Sequence, residues 1–277
     1  SSDAIAVFSR NTSTGQLSFV RHYQDGTPGI DGLGGVRGLL FAPGGTHLYA
    51  AGTVDDAIAV FAVNASTGLL TPASVLRQTD PGVDGLNGVV DLAWSTTAGH
   101  LIAVAPVNQS LAAFARNSGS GALTPAGLIQ NFELPVAAQN ALIDPVNVLV
   151  ESDRVFVASA SSNRVSRFRF ATAPTASFAH EFSIVDAQAG VTGMVGPRTL
   201  SYDPDQARLY VGSDSGALHL FSLLGAQPQL LETQTAALSP VLNGLTTMAF
   251  SHNLRQLYTM GANPTGGVAV WTRERGS

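Results

Sequence analysis

Arg37, Asp91, Asn147 and Arg198 each open a short apolar run, and such runs recur along the 277-residue chain. Aligned on Phe41, Trp94, Val150, Tyr202 and Phe250, the runs give two series of positions. One is Arg37, Val90, Val146, Arg198 and Thr246; the next is Gly38, Asp91, Asn147, Thr199 and Thr247. A pair of arginines suits a carboxylate ligand, because the planar guanidinium makes two parallel hydrogen bonds to it. An aspartate beside them is a candidate general base toward water, or a metal ligand. The plainer expectation is that these groups satisfy one another and a few waters.

A second set of carboxylates lies in glycine-rich loops. Asp25 and Asp31 are six apart, and Asp80 and Asp84 four apart, with glycines between. Carboxylates spaced along such a loop bind calcium through oxygen ligands. The alternation is not that of an EF-hand, and later copies lose it. Among aspartates, residues 132–145 keep only Asp144, and residues 235–244 have none. Asp and Gly also stabilise tight turns without any ion. The expectation is therefore no cofactor, with calcium at Asp25, Asp31, Asp80 and Asp84 as the exception to watch.

The six histidines carry no ligand spacing such as His-x-His or His-Glu-x-x-His, and there is no Gly-x-Ser-x-Gly elbow. Cysteine is absent, which removes disulfides, thiolate metal sites and a cysteine nucleophile. His47 and His100 sit at equivalent places, so they read as structural members of a repeat.

The elements that position these residues follow from that repeat. Asp3-Ala-Ile-Ala-Val-Phe8 recurs letter for letter at Asp56–Phe61. Echoes end at Phe114, Phe168, Phe221 and Trp271, so the aromatic steps are 53, 53, 54, 53 and 50 residues. Each copy contains four β-like segments between Gly, Asn, Asp and Pro turns: Arg37–Ala42, His47–Ala51, Ala57–Ala62 and Leu70–Gln78 in the clearest one. Four antiparallel strands per repeat of this length is the period of a propeller blade. Traced along the chain, the segments number five first, five second, six third and five fourth strands. The expected fold is all-β, a single β-propeller domain over residues 1–277 with five blades, six being the alternative. Seven would need a longer chain. The N-terminal third and fourth strands (Ala4–Phe8, Leu17–Gln24) and the C-terminal first to third (Thr246–Ser251, Gln256–Met260, Val268–Arg273) are expected to share one closing blade.

Charged residues are 12 % of the chain, lysine is absent, and 14 arginines stand against 19 acids for a net charge of -5. No basic run exists, which argues against a nucleic-acid partner. No stretch of 18 apolar residues argues for a membrane span. The polar, weakly charged composition suggests an extracytoplasmic chain, periplasmic, secreted or at the cell surface; the start at Ser1 fits a processed chain and equally a trimmed one.

The repeat resembles the lactonase-like, YVTN-type β-propellers of bacteria. The resemblance rests on Ala42-Pro-Gly-Gly-Thr-His-Leu-Tyr49, on Asp56–Phe61 followed by Asn64-Ala-Ser-Thr-Gly-Leu69, and on the Gly/Asp loops Asp25–Gly35 and Asp80–Gly88. It implies that first-strand starts ring a channel mouth, so that Arg37, Asp91, Asn147 and Arg198 would converge there. Such proteins include sugar-lactone hydrolases, and fold alone does not license the reaction. No glutamate falls in either series, which departs from the family's catalytic His/Glu/Arg set. The favoured expectation is accordingly a non-catalytic binding or scaffold module, its partner another subunit of a surface or envelope assembly, or a glycan. The alternative is a lactonase-type hydrolase in which Arg37 and Arg198 hold a carboxylate and Asp91 activates water.

Overall fold

The structure, a computed structural model, describes residues 3–95, 99–237, 239–262 and 267–272. Its contacts divide the chain into two compact units, residues 1–130 with 171–177, and residues 131–170 with 178–277.

In the first unit, β1 (Ala4–Arg10) and β2 (Leu17–Gln24) form a two-stranded antiparallel sheet. β3 (Val36–Phe41), β4 (His47–Gly52), β5 (Ala57–Val63) and β6 (Leu70–Arg77) form a four-stranded sheet in chain order. β7 (Asp91–Ser95), β8 (His100–Ala105), β9 (Ser110–Arg116) and β10 (Leu123–Gln130) repeat it. The second unit contains β11 (Pro145–Glu151), β12 (Arg154–Ser159), β13 (Arg164–Ala171) and β14 (Ser177–Val185) in one such sheet. β15 (Pro197–Asp203), β16 (Arg208–Ser213), β17 (Ala217–Ser222) and β18 (Gln229–Thr235) form the next. β19 (Leu245–Phe250), β20 (Gln256–Gly261) and β21 (Val268–Thr272) form a sheet of three. The fold is an all-β propeller type with five blades, as the repeat predicts. The strand census agrees with the sequence reading; only Arg273, expected at the end of the last strand, lies outside the described residues.

Local chemistry explains the hairpins. The residue before each of the first five third strands adopts a left-handed backbone that turns the chain. It does so at Asp3, Asp56, Gln109, Asn163 and Gly216, with φ of 45, 51, 50, 51 and 78°. Four of these are Asp, Asn or Gly, the types that tolerate that region. In the first three copies the turns between third and fourth strands are Asx turns. The side-chain oxygens of Asn11, Asn64 and Asn117 each accept two backbone N–H bonds at 2.9–3.0 Å. In the four-stranded sheets the second and third strands lie mid-sheet, which is why their sequences include continuous buried apolar runs such as Leu48–Ala51 and Ala57–Phe61.

Each terminal third strand pairs with its neighbour in the chain, β1 with β2 and β21 with β20, in separate sheets of two and three strands. The two-stranded sheet leaves its aromatic position more open than the four-stranded sheets do. Phe61 and Phe114 are 1 % exposed, whereas Phe8, at the same repeat position, is 49 % exposed. No helix among the described residues is long and apolar enough to cross a membrane.

Candidate functional site

The first series of polar positions sits on a recurrent backbone irregularity. The register between first and second strands slips between Val36 and Gly38, between Pro145 and Asn147, between Pro197 and Thr199, and between Leu245 and Thr247. Arg37, Val146, Arg198 and Thr246 are thus the bulged residues. A bulge turns its side chain out of the ladder's alternation, a common device beside functional sites. Sequence alignment found the positions; it carried no signal for the bulge.

In the first unit the bulge leaves Arg37 exposed, and among the described residues it makes no hydrogen bond or ion pair. Gly38 follows because β3 runs close against the next blade. A Cβ there would stand 2.9 Å from the Val90 carbonyl oxygen and 3.2 Å from Asp91 Cα. That approach sets Arg37 on the strand beside Asp91, which is half-buried and pairs with Val104 at the head of β7.

In the second unit the equivalent arginine and asparagine are held by neighbouring strands and turns. Asn147 Oδ1 accepts the Leu200 N–H at 2.9 Å, pinning β11 to β15. Arg198 donates from Nε and Nη2 to the two carboxylate oxygens of Asp214 at 2.5 and 2.6 Å. This pair, with Asp144 adding its charge, holds the guanidinium above its ordinary pKa. Asp144 itself accepts the Ser161 hydroxyl at 2.7 Å. Arg37 and Asp91 therefore belong to one unit and Asn147 and Arg198 to the other, each pair brought side by side within its own.

The Asp/Gly loops are held by side chains reaching backbone donors. Asp25, Gln78, Asn131 and Asp186 accept the N–H of Leu33, Leu86, Leu142 and Met194 at 2.9, 2.7, 3.1 and 2.9 Å. Asp3, Asp56 and Asn163 accept those of Gly35, Gly88 and Gly196 at 2.9, 2.6 and 2.9 Å. Of the four aspartates expected as metal candidates, Asp80 accepts the Arg77 N–H at 2.8 Å and Asp84 that of Gly85 at 2.7 Å. Asp25 and Asp31 come together with Asp55, which the sequence reading missed, with one carboxylate oxygen of each within 4.8 Å of the others. These three oxygens have the chemistry to hold a hard cation. Arg77 already lies 2.5 Å from Asp31. One repeat later the same three positions are Gln78, Asp84 and Asn108, whose amides donate to Asp84 Oδ1 at 2.9 and 3.3 Å. The doublet Asp55-Asp56 against Asn108-Gln109 was the available signal.

The histidines are structural. Burial and the nearby Arg116 guanidinium push the His47 pKa down. Arg116 Nε also donates to Tyr49 Oη at 3.1 Å, and the Tyr49 hydroxyl donates to the Gly121 carbonyl at 2.7 Å. His219 is fully buried, stacks on Phe221 and lies 3.0 Å from the Thr192 carbonyl; burial lowers its pKa. His180 Nε2 meets Ser183 Oγ at 2.9 Å, and Ser183 Oγ meets Ser166 Oγ at 2.9 Å, a cross-strand chain with no local motif behind it. The second unit also contains a cleft of about 340 Å³ walled by Arg208, Tyr210, Glu232, Gln234, Phe250 and Trp271.

Residues 2–170 match the family model described as Lactonase, 7-bladed beta-propeller. A candidate 6-phosphogluconolactonase from Bacteroides uniformis superposes with a TM-score of 0.73 at 19 % identity, over 97 % of this chain and 74 % of its own. A second from Bacteroides fragilis gives 0.72 at 17 % identity, over 96 % and 73 %. The periplasmic gluconolactonase of Pseudomonas aeruginosa gives 0.68 at 17 % identity, over 98 % and 73 %. Among curated proteins, none matches the chain. The family match covers more than half of the chain and overturns the expectation of a non-catalytic binding or scaffold module. The bulge-borne arginine and the blades around it are features of a chain that belongs to the lactonase family of seven-bladed β-propellers.

Proposed function

We propose that this protein is a lactonase-type hydrolase that opens a sugar lactone. The family match over residues 2–170 is the observation that carries the reading. The gluconolactonase and candidate 6-phosphogluconolactonases among the similar structures support an aldonolactone as substrate.

Within the first unit, Arg37 and Asp91 have the chemistry the reaction requires. Arg37 has both faces of its guanidinium fork available to a phosphate or carboxylate on the sugar. Asp91 takes a proton from water as the water oxygen bonds to the lactone carbonyl carbon. The tetrahedral intermediate then breaks the ring carbon–oxygen bond, and the ring oxygen receives the proton from Asp91. The product is an open-chain hydroxy acid, which ionises and releases one proton to solvent. Arg198 and Asn147 are assigned supporting roles, since Asp214 and Leu200 already engage them.

The test is proton release in a pH-stat with glucono-1,5-lactone and its 6-phosphate, corrected for spontaneous opening. Saturable release that Asp91→Asn abolishes is the expected result; release indistinguishable from the uncatalysed rate on both compounds overturns the reading. An extracytoplasmic location is part of the proposal, supported by the weakly charged composition. Fractionation of source cells, with the protein recovered in the cytosolic pool, would contradict it.

A further inference from the structure

We propose that Thr53 is a positioning residue for Asp91, holding the head of the strand that carries the base through a hydrogen bond from the preceding blade. The inference rests on the lactonase reading of Arg37 and Asp91 and adds a residue to it. The Thr53 hydroxyl donates to the Val89 carbonyl at 2.8 Å. At the other end of the same peptide unit, the Val90 N–H donates to the Val104 carbonyl at 3.1 Å. A peptide unit is planar, so fixing its oxygen and its N–H fixes its orientation. Asp91 is the next residue, and only the two dihedrals of Val90 separate it from that plane.

The bond is not part of the repeat. The recurring clamps on these connections are Asp3, Asp56 and Asn163, which accept the N–H of Gly35, Gly88 and Gly196. They occur in both units and belong to the fold. Thr53 stands first after its second strand, where the other copies have Pro106, Ala160, Asp214 and Ala262. Proline and alanine carry no hydrogen-bonding side chain. Asp214 turns to Arg198 of its own blade. Among the described residues at this position, Thr53 alone reaches the head of the next first strand. That head carries Asp91, where the others carry Gly38, Asn147, Thr199 and Thr247. The added bond therefore coincides with the one carboxylate of the series.

The surroundings offer no substitute for the hydroxyl. Val89 is fully buried, so water does not take its place at the carbonyl. β3 lies against the following peptide unit, where a Cβ on Gly38 would stand 2.9 Å from the Val90 carbonyl oxygen. Without the Thr53 hydroxyl the Val89–Val90 peptide unit turns toward another donor and takes Asp91 with it. A small displacement suffices, because a general base acts only within hydrogen-bond reach of its water.

The test compares Thr53→Val, which keeps a similar shape and removes the hydroxyl, with Thr53→Ser, which keeps the hydroxyl. On the 6-phosphorylated lactone, Thr53→Val should lower kcat about tenfold or more and leave KM within about twofold, and Thr53→Ser should recover kcat. Thr53→Ala takes the place of the valine variant if that one fails to fold. In parallel, carbon-13 NMR on aspartate-labelled protein follows the Asp91 carboxyl signal, assigned by its loss in Asp91→Asn. That signal should move in Thr53→Val and return in Thr53→Ser. An unmoved signal overturns the proposal, as does an unaltered kcat in Thr53→Val. A raised KM at constant kcat also overturns it and assigns Thr53 to Arg37. If the unaltered protein releases no protons beyond the uncatalysed rate, the lactonase reading falls, and the Asp91 signal alone decides whether Thr53 orients that carboxyl.

Discussion

Arg37 and Arg198 hold the same position in the repeat and sit on the same bulge, yet their surroundings differ. Arg198 is closed bidentately by Asp214, at the turn after the second strand. The residue at that place in the first complete blade is Thr53, whose hydroxyl donates to the Val89 carbonyl at 2.8 Å and leaves Arg37 unpaired. The repeat dictates where the backbone puts a side chain; the residue across the hairpin decides whether that side chain is spent on the fold or left for a ligand.

The largest expected effect belongs to the residue beside Arg37. Asp91→Asn should lower kcat by about 10²–10⁴-fold if it serves as the base, with little change in KM. Arg37→Ala should raise KM for an anionic lactone by about 10–100-fold, the range for losing a charge-assisted contact. Thr53→Asp places a carboxylate where Asp214 stands in the other unit. It should raise KM in the same direction by quenching Arg37, and a variant with unaltered kinetics would break the comparison.

Stability distinguishes equal repeat positions in the same way. Phe114→Ala should destabilise by about 3–5 kcal/mol because a fully buried ring leaves a cavity. Phe8→Ala should cost about 1 kcal/mol or less, since half its surface is already in water. Equal losses in chemical denaturation would contradict the difference in burial between the two rings. Asp214→Ala should cost about 1 kcal/mol or less, because both partners are about 40 % exposed and solvent screens the pair.

The smallest effect is on pH dependence. Burial lowers the pKa of His219 in the folded state, so the unfolded chain binds its proton more readily. Stability from this group is present above about pH 6.5 and declines as pH falls below it. His219→Gln should flatten the slope of denaturation midpoint against pH below about pH 6.5. An unchanged slope would contradict a buried neutral imidazole there.

Much of this was legible in the chain. The 53-residue offset of Asp3–Phe8 and Asp56–Phe61 gave the number and kind of strands, because a strand's apolar run and its Asx turn are local properties. Arg37, Asp91, Asn147 and Arg198 were found as the heads of first strands. Their partners were not, because Asp214 meets Arg198 across a hairpin and Leu200 meets Asn147 from the next blade. Asp55 joins Asp25 and Asp31 only once the loop is folded over the following hairpin.

The most direct test of the account is a pair of kinetic runs on the 6-phosphorylated lactone, with Arg37→Ala and Arg198→Ala measured beside the unaltered protein. The account predicts a raised KM for Arg37→Ala and near-normal KM for Arg198→Ala, whose loss should appear in thermal stability instead. Equal KM effects in the two variants, or none in either, would contradict it.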